Sequence, residues 1–502
     1  MQKFVNFVVG VVALFNVAGV YAETSAEWPQ WRGPNRNGSA PTSPSLISEL
    51  PAEGLKPLWK TETLPGGGWG SPIVADGKAY LFVHYKNPKT TDAAPKRKFP
   101  YLPEGKRGDM TPAQYEEYEK NRRAEEFEIG KLFDYREVVY CFDAVDGKTL
   151  WKNEKQSVFS RFVQSGTLTY ADGKLYILGG GRHVRSINAA DGKDVWDVAL
   201  PGEHTDEHFA SSVALIDGAA IVFAGRLFGL DAKTGALLWE GDPKKARGEH
   251  SSAVGWKVGG RELALANVAS GETICFEPRT GKELWRVRSE ANSSTPLVHG
   301  DLLITYGSSR RSGLRCFKIT AEGAKPEWSC QRMGDKGSSP VVVGDYVYVQ
   351  GEKRIACVDL KTGEETWNTT LDLASPQYTS LIAADGKVIY AYDGVLCFAA
   401  DSKEFARLYE TKFDKQGLMA TDEALRKQLK LDEVEKKPNG LEESTRIYQR
   451  EVSNQGPVAC TSPAIVDGRL ILRFRNALAC YDLRAGKSAA GAENSTKSAA
   501  TK

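Results

Sequence analysis

Net charge is scarce in this chain. Lys and Arg total 66 against 64 Asp and Glu, a net of +2. That balance excludes a generally polyanion-binding surface, although not a local basic patch. A second long hydrophobic run is also missing, because no segment beyond the N-terminus is apolar enough to span a bilayer. No Cys follows the N-terminal apolar run, so a lipid-anchored exported form is not supported. Gly66-Gly67-Gly68 precedes a strand pattern and not a helix, so it is no phosphate loop. No Ser-His-Asp signature rises above chance. With 26% charged and 41% hydrophobic residues, the composition is globular and not disordered.

Turn formers and aromatics are plentiful: 49 Gly, 11 Trp and 19 Tyr point to an all-β chain. Lys3 followed by the uncharged run 4–20 and Val20-Tyr21-Ala22 reads as a secretory signal peptide over 1–22, cleaved after Ala22. The alternative is a retained anchor, against which the run is only just long enough and contains Asn6 and Asn16. Residues 23–54 form an N-terminal extension, and 487–502 read as a disordered tail.

One pattern recurs about every 43 residues. It runs from a small residue or Cys through an apolar residue, Asp and Gly to Trp, as in CFDAVDGKTLW (141–151) and GLDAKTGALLW (229–239). The tryptophans are Trp151, Trp196, Trp239, Trp285, Trp328 and Trp367, and Tyr409 takes the Trp place in a degenerate copy. A Ser-rich run with a Gly turn precedes each copy, as in GSPIVADGKAYLF (70–82) and TSPAIVDGRLILRF (461–474). Its Asp-Gly and Gly-Asp dipeptides between apolar runs are hairpin turns. Each unit thus supplies four strands, and eight units predict an eight-bladed β-propeller over 55–486. The last copy, CYDLRAG (480–486), lacks a Trp strand, while Trp59 stands alone ahead of the first unit. The N-terminal strand is expected to close the eighth blade. Each Trp is expected to pack between blades. An open solenoid leaves the orphan Trp unexplained.

Two insertions break the period. Within 86–136, Thr111-Pro112-Ala113-Gln114 is a capping box that predicts a helix over about 112–128. Within 410–456 a helix is expected over about 422–431, after Thr421. Residues 86–110 hold seven basic residues against three acidic and read as a solvated decoration, the alternative being a partner-docking arm.

The D-x-x-T-G-x-x-x-W repeat with its Ser-rich strands resembles the pyrroloquinoline-quinone (PQQ) repeat family. Trp28-Pro-Gln-Trp-Arg-Gly-Pro resembles the opening element of secreted bacterial PQQ-like propellers. The chain is also similar to the propeller lipoproteins of outer-membrane β-barrel assembly. This fold implies two classes of function. One is a dehydrogenase of alcohols or sugars using PQQ and calcium; the other is a non-catalytic scaffold. The vicinal Cys-Cys of the alcohol dehydrogenases, a C-x-x-C-H haem site and the lipoprotein's acylated Cys are all absent.

In a propeller, residues just before each innermost strand converge on one mouth of the channel. They are Trp69; Arg161 and Gln164; Glu207 and His208; Glu249 and His250; Glu290 and Asn292; Asp335 and Lys336; Gln377 and Tyr378; Asn454 and Gln455. Such a rim suits a small ligand. A dehydrogenase needs calcium-binding oxygens, a carboxylate base, an Arg and a stacked ring, types that Glu249, Asn292, Asp335, Arg161 and Trp69 supply. Polar loop ends at a wet mouth are equally expected of any propeller. Trp69 and Tyr378 also suit stacking on a sugar. His204 and His208 fall on a loop, so no metal site is expected. Six cysteines share one repeat position and read as small fillers between sheets. Cys316 and Cys330 flank a turn and are expected to form a disulfide. The leading reading is an exported, periplasmic or extracellular, non-catalytic scaffold without a cofactor. Its partner would be another envelope protein or a small ligand, and not nucleic acid. The runner-up is a divergent PQQ- and calcium-dependent oxidoreductase.

Overall fold

The computed structural model describes residues 27–91, 95–162, 164–202, 209–248, 250–372, 378–400 and 403–486. The expected signal peptide and tail lie outside them. The chain forms eight antiparallel sheets, six of four strands and two of five. In blade 1, strands Ile73–Ala75, Lys78–Pro88, Phe133–Asp143 and Thr149–Gln156 pair in chain order. Blade 8 draws three strands from Ala464–Asp482 and its outermost from Trp59–Lys60, so the N-terminal strand closes the ring as expected. Closure removes an unpaired edge.

The repeat explains itself in the register. In every blade the small residue of the repeat stands directly opposite the aromatic of the outer strand. The pairs run from Cys141 and Trp151 through Ser186 and Trp196, Gly229 and Trp239, Cys275 and Trp285, Cys316 and Trp328, Cys357 and Trp367, and Cys397 and Tyr409 to Cys480 and Trp59. The indole lies across the sheet at that point. A Cβ at Gly229 would come within 2.3 Å of the Trp239 ring. Six of the cysteines are therefore the small partners of a large ring, not bridge formers, and none of the eight is in a disulfide. Cys316 and Cys330 are not cross-strand partners: Cys316 stands opposite Trp328, and Cys330 opposite Leu314. The expected disulfide is not formed.

Each ring then reaches the next blade. Indole N–H groups donate to turn carbonyls one blade on: Trp59 to Ala144 (3.0 Å), Trp151 to Ala189 (3.2 Å), Trp196 to Ala232 (3.2 Å), Trp239 to Pro278 (2.7 Å), Trp285 to Thr320 (3.0 Å) and Trp328 to Leu360 (2.8 Å). The Asp-x-x-Gly turn supplies the seat. Gly192 holds φ +73°, and a Cβ there would meet the Trp151 ring at 2.5 Å. Blade 7 lacks this glycine, and Phe398 and Phe405 pack on Trp367 in its place.

The Ser-rich motif has a second role. Ser462, Ser71, Thr167, Ser212, Ser252, Thr295, Ser339 and Ser380 head the eight innermost strands in turn. Seven successive main-chain amides donate to the next blade's hydroxyl at 2.9–3.1 Å. This belt satisfies amides that an inner sheet edge would otherwise leave open.

Helix α1 (Pro112–Gly130) carries the expected capping box at Thr111 and Gln114. Residues before it are held on the helix: Glu125 accepts from the amides of Lys98 and Phe99, and the Tyr118 hydroxyl donates to the Pro100 carbonyl. The second insertion forms α2 (Asp422–Gln428), α3 (Leu431–Glu435) and α4 (Gly440–Glu451). Only α2 was anticipated. The polar run 440–451 hides a one-sided helix that packs through Tyr448 on the small core of Leu418, Leu425 and Val452.

Candidate functional site

The residues after Trp28 cross the propeller axis. Trp28 pairs with Val74 of blade 1, and Gly38 and Ala40 pair with Ala383 of blade 7. Between them two arginines turn into the protein. Arg36 donates to the Ser212 and Val213 carbonyls and, at 3.0 Å, to Thr169 Oγ1. Arg32 donates to the Pro340 carbonyl in blade 6 and to Asn37 O at 3.2 Å. Both are fully or almost fully buried. The segment thus docks on the propeller and closes one end of the channel.

What remains above it is a cavity of about 680 Å³. That volume falls within the range of small-molecule sites, roughly 300–1,000 Å³. Trp31 lines it from the crossing segment, with Ser71, Thr167, Ser212 and Ser252 of the hydroxyl belt in its wall. Trp69, Phe162 and Tyr378 add aromatic surface, and Arg123, Arg161, Arg247 and His250 add cationic groups.

Trp69 is set by the triglycine ahead of it. A Cβ at Gly67 would lie 2.2 Å from the His84 carbonyl oxygen, and Gly68 takes φ +70° against the Gln164 carbonyl. Tyr378 stands at φ +66° with its ring over Gly337, where a Cβ would come within 2.4 Å. Its amide donates to Asp335 Oδ1 at 3.0 Å. Burial, and then the Asp335 charge, hold its hydroxyl above the ordinary tyrosine range. Cys460 lines the wall at φ +72°, and burial pushes its thiol up to about 11.

Of the sequence candidates, Trp69, Arg161, His250 and Tyr378 meet at this cavity. Gln164 does not. It is buried, and its side chain joins Ser160 to the Phe209 amide. Asp335 caps a turn: Oδ1 accepts the amides of Gly337 (3.0 Å), Ser338 (2.7 Å) and Tyr378 (3.0 Å). Asn292 and Lys336 are not among the lining residues. Glu207, His208, Glu249 and Gln377 lie outside the described residues. Sequence reasoning missed Trp31, Phe162, Arg247 and Cys460, and also Arg123, which α1 carries over the cavity.

PQQ and calcium can now be tested against these residues. Arg161 and the rings are of suitable type for a flat anion. Among the described residues the calcium ligands named from sequence are not gathered on the wall: Asp335 turns Oδ1 to main-chain amides, and Asn292 is not among the lining residues. Among the described residues no group of three or more His, Cys, Asp or Glu could hold a metal ion. The described wall does not fit calcium.

A family model described as outer membrane protein assembly factor BamB matches residues 130–255 and 250–425, more than half of the chain. The chain belongs to this family. BamB from Shewanella oneidensis is 27% identical over 298 residues, covering 54% of this chain and 71% of that protein. The dehydrogenase subunit of a quinone alcohol dehydrogenase from Komagataeibacter europaeus is 30% identical over 155 residues. That match spans 27% of this chain and only 21% of the dehydrogenase. In fold, the chain superimposes on quinohemoprotein alcohol dehydrogenase from Comamonas testosteroni with TM-score 0.54 and 11% identity, covering 93% of this chain and 82% of that one. BamB-family membership and the dehydrogenase likeness share the blade architecture. No described helix is long and apolar enough to cross a membrane.

Proposed function

We propose that this chain is an exported, non-catalytic binding or scaffold module of the cell envelope, with another envelope protein as its partner. The observation that carries this reading is the described cavity wall of aromatic rings, hydroxyls and cationic side chains, which takes in no described carboxylate; Asp335, beside it, turns Oδ1 to three main-chain amides. Support also comes from the BamB family match, whose printed name is that of an outer membrane protein assembly factor. The signal-like segment 1–22 supports export. The surfaces offered to a partner are the channel mouth and the two insertions. α1 is well suited, because its exposed face stands out beside the mouth while Gly130 is seated under Phe159.

The test is in-cell crosslinking of the full chain, followed by capture, with and without residues 86–136. The reading expects a defined envelope protein on the full chain and its loss from the deletion, with the propeller still folded by circular dichroism. Unchanged capture removes that arm from the interface.

A second reading, a divergent quinoprotein oxidoreductase, draws on the dehydrogenase match and the ring-and-arginine wall.

A further inference from the structure

Three short loops of blade 5 (297–330) and blade 6 (341–370) meet on the face that carries the channel mouth. Residues 307–313 and 352–353 each join the second strand of a blade to its third, as the first insertion does in blade 1. Residues 331–340 lead from blade 5 to blade 6, as the second insertion leads from blade 7 to blade 8, and Gly337 among them reaches the cavity wall. The loops interlock. Asp335 donates its amide to the Gly307 carbonyl (3.2 Å), and Arg310 Nε donates to Glu352 Oε2 at 2.6 Å. A Cβ at Gly334 would come within 2.3 Å of the Ser309 main chain.

These loops concentrate positive charge that the chain as a whole lacks. Residues 307–316, 331–337 and 351–354 hold seven Lys and Arg against two acids, in a chain of net charge +2. Both acids are engaged: Asp335 Oδ1 accepts three amides, and Glu352 takes Arg310. The other six cations, Arg311, Arg315, Arg332, Lys336, Lys353 and Arg354, have no ion-pair partner among the described residues. Arg311, Arg332, Lys336 and Lys353 are exposed. Arg315 is half-buried, and its buried Nε has no hydrogen-bond acceptor among the described residues. Two acids border the patch. Glu290 pairs with Arg288 at 2.9 Å, and its carboxyl is held below the ordinary range first by that bond and further by Arg315 and Arg311. Asp372 follows Leu371, whose amide donates to the Lys353 carbonyl, and residues 373–377 after it carry no charge. Like charges held together repel, and an acidic partner relieves that repulsion.

We infer that the loops of blades 5 and 6 dock an acidic polypeptide segment of the envelope partner. The inference rests on the scaffold reading and names the chemistry of the partner at a surface that reading does not include. Charge complementarity selects an acid, and guanidinium groups pair carboxylates in a planar, bidentate way. Shape selects a polypeptide over a bilayer. Both insertions stand on the same face, so a flat anionic membrane would meet them before it reached these short loops.

Fluorescence anisotropy of labelled hexaglutamate titrated with the full chain tests this, beside hexaglutamine and vesicles of phosphatidylglycerol. A patch variant combines Arg311→Glu, Arg332→Glu and Lys353→Glu. Its control makes the same change of net charge in the Asp-x-x-Gly turns at the other end of the blades, with Lys148→Glu, Lys193→Glu and Lys233→Glu. Saturable binding of hexaglutamate is expected at about 50 mM salt and its loss at about 0.5 M. The patch variant should weaken binding by about tenfold or more, and the control by less than about twofold. Arg311→Ala alone, with about a threefold loss expected, serves if the patch variant loses its circular dichroism signal. In the in-cell crosslinking, the patch variant should lose the captured partner and the control should keep it. Five results would overturn the inference: equal weakening in both variants, equal binding of hexaglutamine, tighter patch-dependent binding of the vesicles, no hexaglutamate binding at about 1 mM protein, or capture untouched by the patch variant. Failure of the unaltered chain to capture any envelope protein, with patch-dependent peptide binding intact, would instead remove the scaffold reading alone.

Discussion

At the scale of single residues, the repeat encodes a contact between one small side chain and one large ring. The small position faces its own blade's Trp, and the turn glycine seats the Trp of the blade before. Gly192→Ala adds a methyl 2.5 Å from the Trp151 ring at a φ of +73°. It should cost about 2 kcal/mol or more, read as a lower Tm with unchanged circular dichroism. The cysteines carry a separate expectation. Burial pushes Cys141, Cys275, Cys316 and Cys480 up to about 12, and none of the eight cysteines is in a disulfide. A thiol reagent at pH 8 should label the native chain slowly and find eight thiols in denaturant; six would restore the disulfide. The repeat position of six cysteines was legible as a packing position. The hairpin register from Thr320 and Gly323, which puts Cys330 opposite Leu314 and not Cys316, was not. Gln164 and Asp335 turn their polar atoms to local partners for a related reason. A polar side chain just before a strand satisfies local amides as readily as it faces a channel, and only coordinates separate the two.

At the scale of elements, the joints between blades hold the ring. Between blades 1 and 2, buried Arg185 donates to Glu137 and Asp194, and Lys155 donates to Asp197. Burial alone would raise Asp194 and Asp197. Hydrogen bonds from Lys155 to both, from Arg185 to Asp194 and from His183 to Asp197 outweigh it and hold both below the ordinary 3.8. A folded value below the unfolded one stabilises the fold above the unfolded value and is lost as pH falls through the folded one. Asp194→Asn should therefore lower Tm at pH 7 and flatten its fall below about pH 4. At the closing joint, Trp59→Ala should cost about 3–5 kcal/mol, whereas Leu58→Ala, half exposed beside it, should cost under about 0.5 kcal/mol. Equal effects would mean that the N-terminal strand does not close the ring. The orphan Trp59 and the missing eighth Trp strand were readable because closure is a counting argument. The capping box at Thr111 fixed the start of α1, but no local signal states which way a helix leans. Arg123 was invisible as a wall residue for that reason.

At the scale of the molecule, a closed ring crossed by its own N-terminal segment leaves a cavity whose described wall carries cationic and aromatic side chains. The eight blades follow directly from the period. The wall does not, because it gathers Trp31, Arg123 and Tyr378 from three regions far apart in sequence. The Trp28–Gly38 element carried a usable signal: two Trp and two Arg in an otherwise loop-like stretch ask for a docking surface. The central claim is that this propeller binds without catalysing. It is tested most directly by adding PQQ and calcium to the purified chain and following alcohol-dependent dye reduction. The account predicts no reduction above a control of PQQ and calcium alone, whether or not PQQ binds. Saturable turnover that requires both calcium and the protein would contradict it and place the chain among the oxidoreductases.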